Sequence, residues 1–116
     1  MKPRAKPRQE SLDLVARLLQ EQEITCQNII ERACDLTIYQ VRADEIRGPS
    51  RKPMAIAVRD AISYVLVKRL ELSYNDVGGL FHRDRAAIIY AVKKLQPHMN
   101  HVNHSSAQEG LQWRIR

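Results

Sequence analysis

The chain predicts an all-α fold, a compact helical domain. Apolar residues recur at three- and four-residue spacing along most of its length, and strand-like alternation is nearly absent. Glycine is scarce, with 4 residues in 116. A chain of this size is expected to form one domain, large enough for a modest core of helices.

Residues 1–9 hold two prolines and Lys2, Arg4, Lys6 and Arg8, with no acid; they read as a flexible basic arm. A first helix is predicted from Glu10 to Glu23, because Leu12, Val15, Leu18 and Leu19 share a face. Ile24-Thr25 interrupts that pattern. Thr25 can cap a second helix running to Leu36, with Ile29, Ile30, Ala33 and Cys34 turned inward. The β-branched run Thr37–Val41 reads as extended, and Arg42–Ile46 as one more helical turn. Arg47-Gly48-Pro49-Ser50-Arg51-Lys52-Pro53 is a basic loop broken by glycine and proline.

The longest helix is predicted over Met54–Leu72, where Val58, Ala61, Ile62, Val65, Leu66 and Leu70 make a stripe wide enough for a central position. Ser73 followed by Asp76 resembles a capping box and starts a short helix to about Leu80. A last helix begins near Asp84 and is expected to end before Pro97. The domain then spans 10–96. Residues 97–116 are a polar tail expected to be loosely ordered in large part, with Leu111, Trp113 and Ile115 able to dock back.

Charge is segregated. The formal net charge is +6, but residues 10–45 carry eight acids against Arg17, Arg32 and Arg42, whereas residues 46–96 carry ten bases against four acids. An acidic stretch flanked by a basic arm and a basic half suits a polyanion on one side of the molecule. No charged start is followed by an apolar run, and no segment approaches the roughly 20 apolar residues of a membrane span. Cys26 and Cys34 lie eight residues apart in a helical stretch, off disulfide register. The expectation is a reduced, cytoplasmic, nucleoid-associated protein whose cysteines are small buried apolar residues.

The most informative stretch is Arg83–Lys94, a short helix with one apolar side and one basic side. Ser73–Phe81 just before it reads as another short helix ending in a turn. Two short helices in sequence, the second basic and poor in acids, form a helix-turn-helix pattern over about 73–95, whose second helix enters the DNA major groove. Arg85, at the start of that helix, can grip guanine O6 and N7, and Ala86 and Ala87 can pack on thymine methyls. Asp84 either caps the helix or accepts from a cytosine amine, and Arg83 faces phosphate. Ile88, Ala91, Val92 and Leu95 share one face and belong to the core. Arg85, Ala86, Ile89 and Lys93 look outward, with Tyr90 undecided. An exposed Ile89 would suit a groove or a partner. Lys93 and Lys94 are phosphate ligands or a solvated helix end. Ser73 and the free N–H groups behind it can bind a phosphate.

With these elements in order, residues from about Ile24 to Gln96 resemble the C-terminal DNA-binding domain (domain IV) of the bacterial replication initiator DnaA, a Trp-repressor-like helical arrangement. Ile29–Val41 with Ala43-Asp44-Glu45-Ile46 is similar to the entry segment, Arg47–Lys52 to the basic loop, Ala57–Leu70 to the long helix and Leu72–Gly78 to the first helix of the pair. Arg83–Leu95 falls on the signature, usually Arg-Asp-His-Thr-Thr-Val, an apolar residue, His-Ala and a basic pair. The resemblance implies a duplex-DNA partner, with Arg47, Ser50, Arg51 and Lys52 reaching the minor groove and Arg59 near a basic position of the family.

The chain departs from the pattern at three places. Arg85-Ala86-Ala87 stand where the family has His-Thr-Thr, so the family's target sequence does not carry over. The turn is one residue short, with His82 where glycine is common. No Gly-x-x-x-x-Gly-Lys-Ser/Thr occurs, and 116 residues leave no room for an ATPase module, so a full initiator is not expected.

His98, His101 and His104 have a ligand-like spacing, but no acid or cysteine stands near, and no metal or cofactor is expected. Cys26 and Cys34 lack a base and an orienting group, so no enzyme is expected. The predicted function is sequence-specific DNA binding by a bacterial or phage transcriptional regulator, monomeric or homodimeric. The alternatives are an accessory that occupies initiator-type sites to modulate replication, and an adaptor whose acidic 10–36 region binds a protein of the transcription machinery.

Overall fold

The computed structural model describes residues 6–105, with side chains through Met99. Six helices follow in order: α1 Pro7–Gln20, α2 Ile29–Leu36, α3 Ala43–Arg47, α4 Pro53–Lys68, α5 Tyr74–Phe81 and α6 Arg85–Ser105. The described residues contain no strand.

The centre is α4. Ala55 and every residue from Ala57 to Leu66 are buried, so this helix is covered on all sides. Its Ala, Val and Ile residues explain that position: small and branched side chains let α1, α2, α3, α5 and α6 all approach one axis. Leu14, Val15 and Leu18 of α1, Ile29 and Ile30 of α2, Ile46 of α3, Phe81 of α5 and Ile88 and Leu95 of α6 close the core around Val58, Ile62 and Leu66. Burial of each such side chain contributes about 1.5–3 kcal/mol. The Ser11 hydroxyl donates to the Ala57 carbonyl at 2.7 Å, which fixes α1 along α4.

Polar contacts set the acidic half. Thr25 and Asn28 cap one another: Asn28 N–H donates to Thr25 Oγ1 at 3.2 Å, and Thr25 N–H to Asn28 Oδ1 at 2.8 Å. This is a reciprocal box with Asn in the Glu position. The predicted Thr25 cap is present, although regular α-helix starts only at Ile29. Glu10, buried in α1, accepts from the Thr37 hydroxyl and from Ile38 N–H and pairs with Arg17, which ties the chain after α2 back to the first helix. That segment is a series of bends, not an extended run, and leaves Ile38 68 % exposed.

Four further expectations are corrected. Helix α1 begins at Pro7, because proline at the first position has its φ preset and needs no N–H partner; residues 7–9 therefore belong to the helix and not to an arm. Helix α4 stops at Lys68, and Glu71 takes a left-handed conformation (φ 59°) that turns the chain towards α5. Helix α6 does not end before Pro97 but runs through it. Proline there removes one backbone hydrogen bond, and burial of Met99 (2 % exposed) on the core favours the continued helix. Cys26 is exposed and is not a core residue, whereas Cys34 is half-buried and packs against the core from its edge. Burial pushes the Cys34 thiol above its ordinary range. Lys2 and Arg4 of the predicted arm, and Leu111, Trp113 and Ile115 of the tail, lie outside the described residues.

Candidate nucleic-acid interface

Local chemistry builds the two-helix unit. Ser73 Oγ accepts from Asp76 N–H at 3.0 Å and starts α5 as its spacing predicted. Val77 and Phe81 anchor α5 in the core. His82 then adopts a left-handed conformation (φ 54°, ψ 43°) and breaks the helix, although histidine lacks the freedom of glycine there. Arg83 N–H donates back to the Gly78 carbonyl at 2.8 Å. A Cβ on Gly78 would lie 2.5 Å from the Arg83 carbonyl oxygen, so the close return of the turn requires glycine at this position.

The face of α6 follows. Ile88, Ala91, Val92 and Leu95 are buried, as their periodicity predicted. Arg85, Ala86, Tyr90 and Lys93 are exposed. Ala87 and Ile89 are half-buried, so Ile89 looks outward less than expected. Tyr90 is 68 % exposed one turn beyond Ala86 and joins the outward face. Its signal in the sequence was the four-residue step from Ala86, which helical geometry places on the same side. Asp84 is exposed immediately before α6 and lends its carbonyl to Ala87 N–H at 3.1 Å. No acid stands in the first turn of α6.

The basic loop lies beside this face. Arg47, Arg51 and Lys52 are exposed and Ser50 is half-buried. Lys52 Nζ sits 3.0 Å from Glu45 Oε2, a contact that holds the Glu45 carboxyl below its ordinary range, followed in effect by the Arg42 N–H bond. Arg83 extends from the turn to donate to the Gly48 carbonyl at 3.2 Å and to the Phe81 carbonyl at 3.3 Å. A groove of about 460 Å³ opens between loop, α4 and α6, lined among others by Ser50, Arg51, Asp60, Arg83, Tyr90 and Lys94.

Arg59 and Lys94 also have partners within the fold. Arg59 was expected near DNA, but it is 5 % exposed and its guanidinium is turned inward. It donates to the carbonyls of Ile46 and Glu45 at 2.9 Å each, Gly48 at 3.3 Å and Ser50 at 3.2 Å. A guanidinium fork satisfies several diverging carbonyls at once, and a loop with two prolines leaves those carbonyls without helical partners. Arg59 therefore shapes the loop instead of presenting a cation to solvent. Burial, then the nearby Arg83 charge, makes its proton easier to lose. Lys94, expected to face phosphate, forms a 2.6 Å ion pair with Asp60 Oδ2.

Among the described residues, no group of three or more His, Cys, Asp or Glu could hold a metal ion, and no helix is long and apolar enough to cross a membrane. The side chains of His101 and His104 lie outside the described residues.

Comparison with known proteins places the sequence in a family. The profile of the bacterial DnaA protein helix-turn-helix matches residues 26–95, more than half of the chain. The chromosomal replication initiator proteins DnaA of Mycoplasma pneumoniae and Mycoplasma genitalium are each 27 % identical over 67 residues. The aligned segment covers 58 % of this chain but only 15 % of either relative. No solved structure matches significantly. The matched span runs from the turn before α2 to Leu95 and takes in the basic loop, α4 and the two-helix unit, and on it the chain belongs to the bacterial DnaA helix-turn-helix family of DNA-binding domains.

Proposed function

We propose that the chain binds duplex DNA in a sequence-dependent way, with the start of α6 in the major groove and the loop at 47–52 against the adjoining backbone and minor groove. The observation that carries this reading is the outward face of α6. Arg85, Ala86, Tyr90 and Lys93 stand exposed together, free of acids in the first turn, on a helix whose opposite side is locked into the core. Such a face reads bases at its N-terminal end and meets phosphates further along. Arg85 is the base reader and Ala86 and Ala87 form an apolar contact for thymine. Half-buried Ile89 flanks them. Arg47, Arg51, Lys52, Lys93 and the Ser73 end of α5 meet phosphates, with Arg83 and Ser50 at the loop junction and Asp84 at the head of the helix.

The proposed role is transcriptional regulation. These 116 residues hold no phosphate-cradling Gly-x-x-x-x-Gly-Lys-Ser/Thr motif, so nothing within them couples DNA binding to nucleotide hydrolysis. A second reading is favoured by the names of the relatives, both chromosomal replication initiators: the chain occupies initiator-type sites and modulates replication. Selection of bound duplexes from a random pool near physiological salt tests both. A recurrent motif unlike initiator sites supports regulation, and recovery of initiator-type sites supports the replication role. A pool without enrichment overturns sequence-dependent binding.

A further inference from the structure

Asp60 is the acid within the groove between the basic loop and α6, where Arg51, Arg83 and Lys94 also stand. It projects from the buried centre of α4, with its side chain only 12 % exposed. Lys94 reaches back from α6 to meet it at 2.6 Å, and its ammonium lies 5.3 Å from the centroid of the Tyr90 ring. Lys93, one residue earlier, is exposed, whereas the Lys94 side chain is 28 % exposed. Two adjacent lysines on one helix thus have different electrostatic status.

A carboxylate this well covered is costly to leave unpaired, so its cation is not readily given up. Burial pushes the Asp60 carboxyl up, while the Lys94 hydrogen bond and charge, and then Arg59 and Arg83, pull it down. Lys94 is the strongest of those opposing partners. If it moved to a phosphate, Asp60 would lose its ion-pair partner and stand as a covered negative charge facing a polyanion.

We propose that Asp60 sequesters Lys94 from DNA, so that the carboxylate removes one cation from the phosphate-binding surface and lowers affinity for every duplex alike. The inference rests on the reading of α6 as a DNA-facing helix. Its physical consequence is specific. Sequence-independent affinity depends on the number of phosphates neutralised, and each adds roughly 0.9 to the slope of log affinity against log salt. A chain that ties up one lysine internally binds random DNA less tightly and keeps its base contacts unchanged. The ratio of specific to non-specific binding is preserved while residence on random DNA falls.

Salt titrations of binding to one selected duplex and one scrambled duplex test this. Asp60→Asn is expected to steepen the slope by roughly one unit on both duplexes, and the double variant Asp60→Asn/Lys94→Gln to return it to the parent value. An unchanged or shallower slope in Asp60→Asn overturns the proposal and leaves the DNA-binding reading intact. Failure of the unsubstituted protein to bind either duplex overturns both together. Should Asp60→Asn fail to give a native helical spectrum, the neutral pair Asp60→Asn/Lys94→Gln decides: a parent-like slope supports sequestration, and a slope reduced by about one unit overturns it.

Discussion

Arg59 and Arg83 donate to the same oxygen, the Gly48 carbonyl, at 3.3 and 3.2 Å. One guanidinium comes from the middle of the central helix and the other from the turn of the two-helix unit. Their shared acceptor ties the basic loop to both, so loop and turn keep one relative position. Two cations converge on a single carbonyl here, an arrangement that is stable because Arg59 has three further carbonyl partners.

Replacement of Arg59 by methionine is therefore expected to act on the fold first. Four carbonyls lose a charged donor, and the predicted loss is about 2–3 kcal/mol in urea unfolding. Trypsin should also cut faster after Arg47 and Arg51 as the loop comes loose. A variant of parent-like stability with only a shallower salt slope for DNA would show that Arg59 is a phosphate ligand after all.

Arg85→Ala should leave the helical spectrum and melting temperature unchanged, because the residue is exposed and no core side chain depends on it. Its effect falls on binding. The selected duplex should lose about 1–3 kcal/mol, roughly 5- to 150-fold, with relaxed preference at one base position. Equal weakening across selected and scrambled duplexes would reassign Arg85 to phosphate.

The adjacent glycines of α5 should respond in opposite directions. Gly78→Ala drives a methyl against the Arg83 carbonyl at 2.5 Å and should cost about 1–3 kcal/mol by chemical denaturation. Gly79→Ala has nothing within 4 Å of the new methyl and should gain about 0.5–1 kcal/mol from helix propensity. Equal responses would disprove the tight return of the turn.

Asp60 gives a pH signature. Its carboxyl titrates above the ordinary aspartate value in the folded chain. From about pH 4 upward the unfolded chain releases this proton first, so the native state binds more protons and the Asp60 contribution to stability falls as pH rises towards its folded value. The stability of the parent relative to Asp60→Asn should decline over that window, read from urea midpoints between about pH 3.5 and 6. A difference that is flat or rising with pH would refute a raised Asp60.

Much of the architecture could be read from the chain because it rests on local rules. The Ser73 cap, the buried face Ile88–Leu95 and the one-turn helix α3 depend on spacing and nearby partners, and all three are present. Errors arose where distant residues decide. Pro97 punctuates a helix by local rule, but Met99 meets the core and the helix continues. Arg59 and Lys94 look like surface cations in a basic half until the fold brings loop carbonyls to one and Asp60 to the other.

The sequence by itself determined the helical class, the two-helix unit and the cationic character of α6, because periodicity, capping and residue charge act within a few positions. Only the tertiary structure decided which cations remain available to a ligand. A positive side chain is free or occupied according to the acceptors that other segments place within about 3 Å of it, and in this chain those acceptors arrive from 9 to 14 residues away for Arg59, from Gly48, 35 residues away, for Arg83, and from α4 for Lys94.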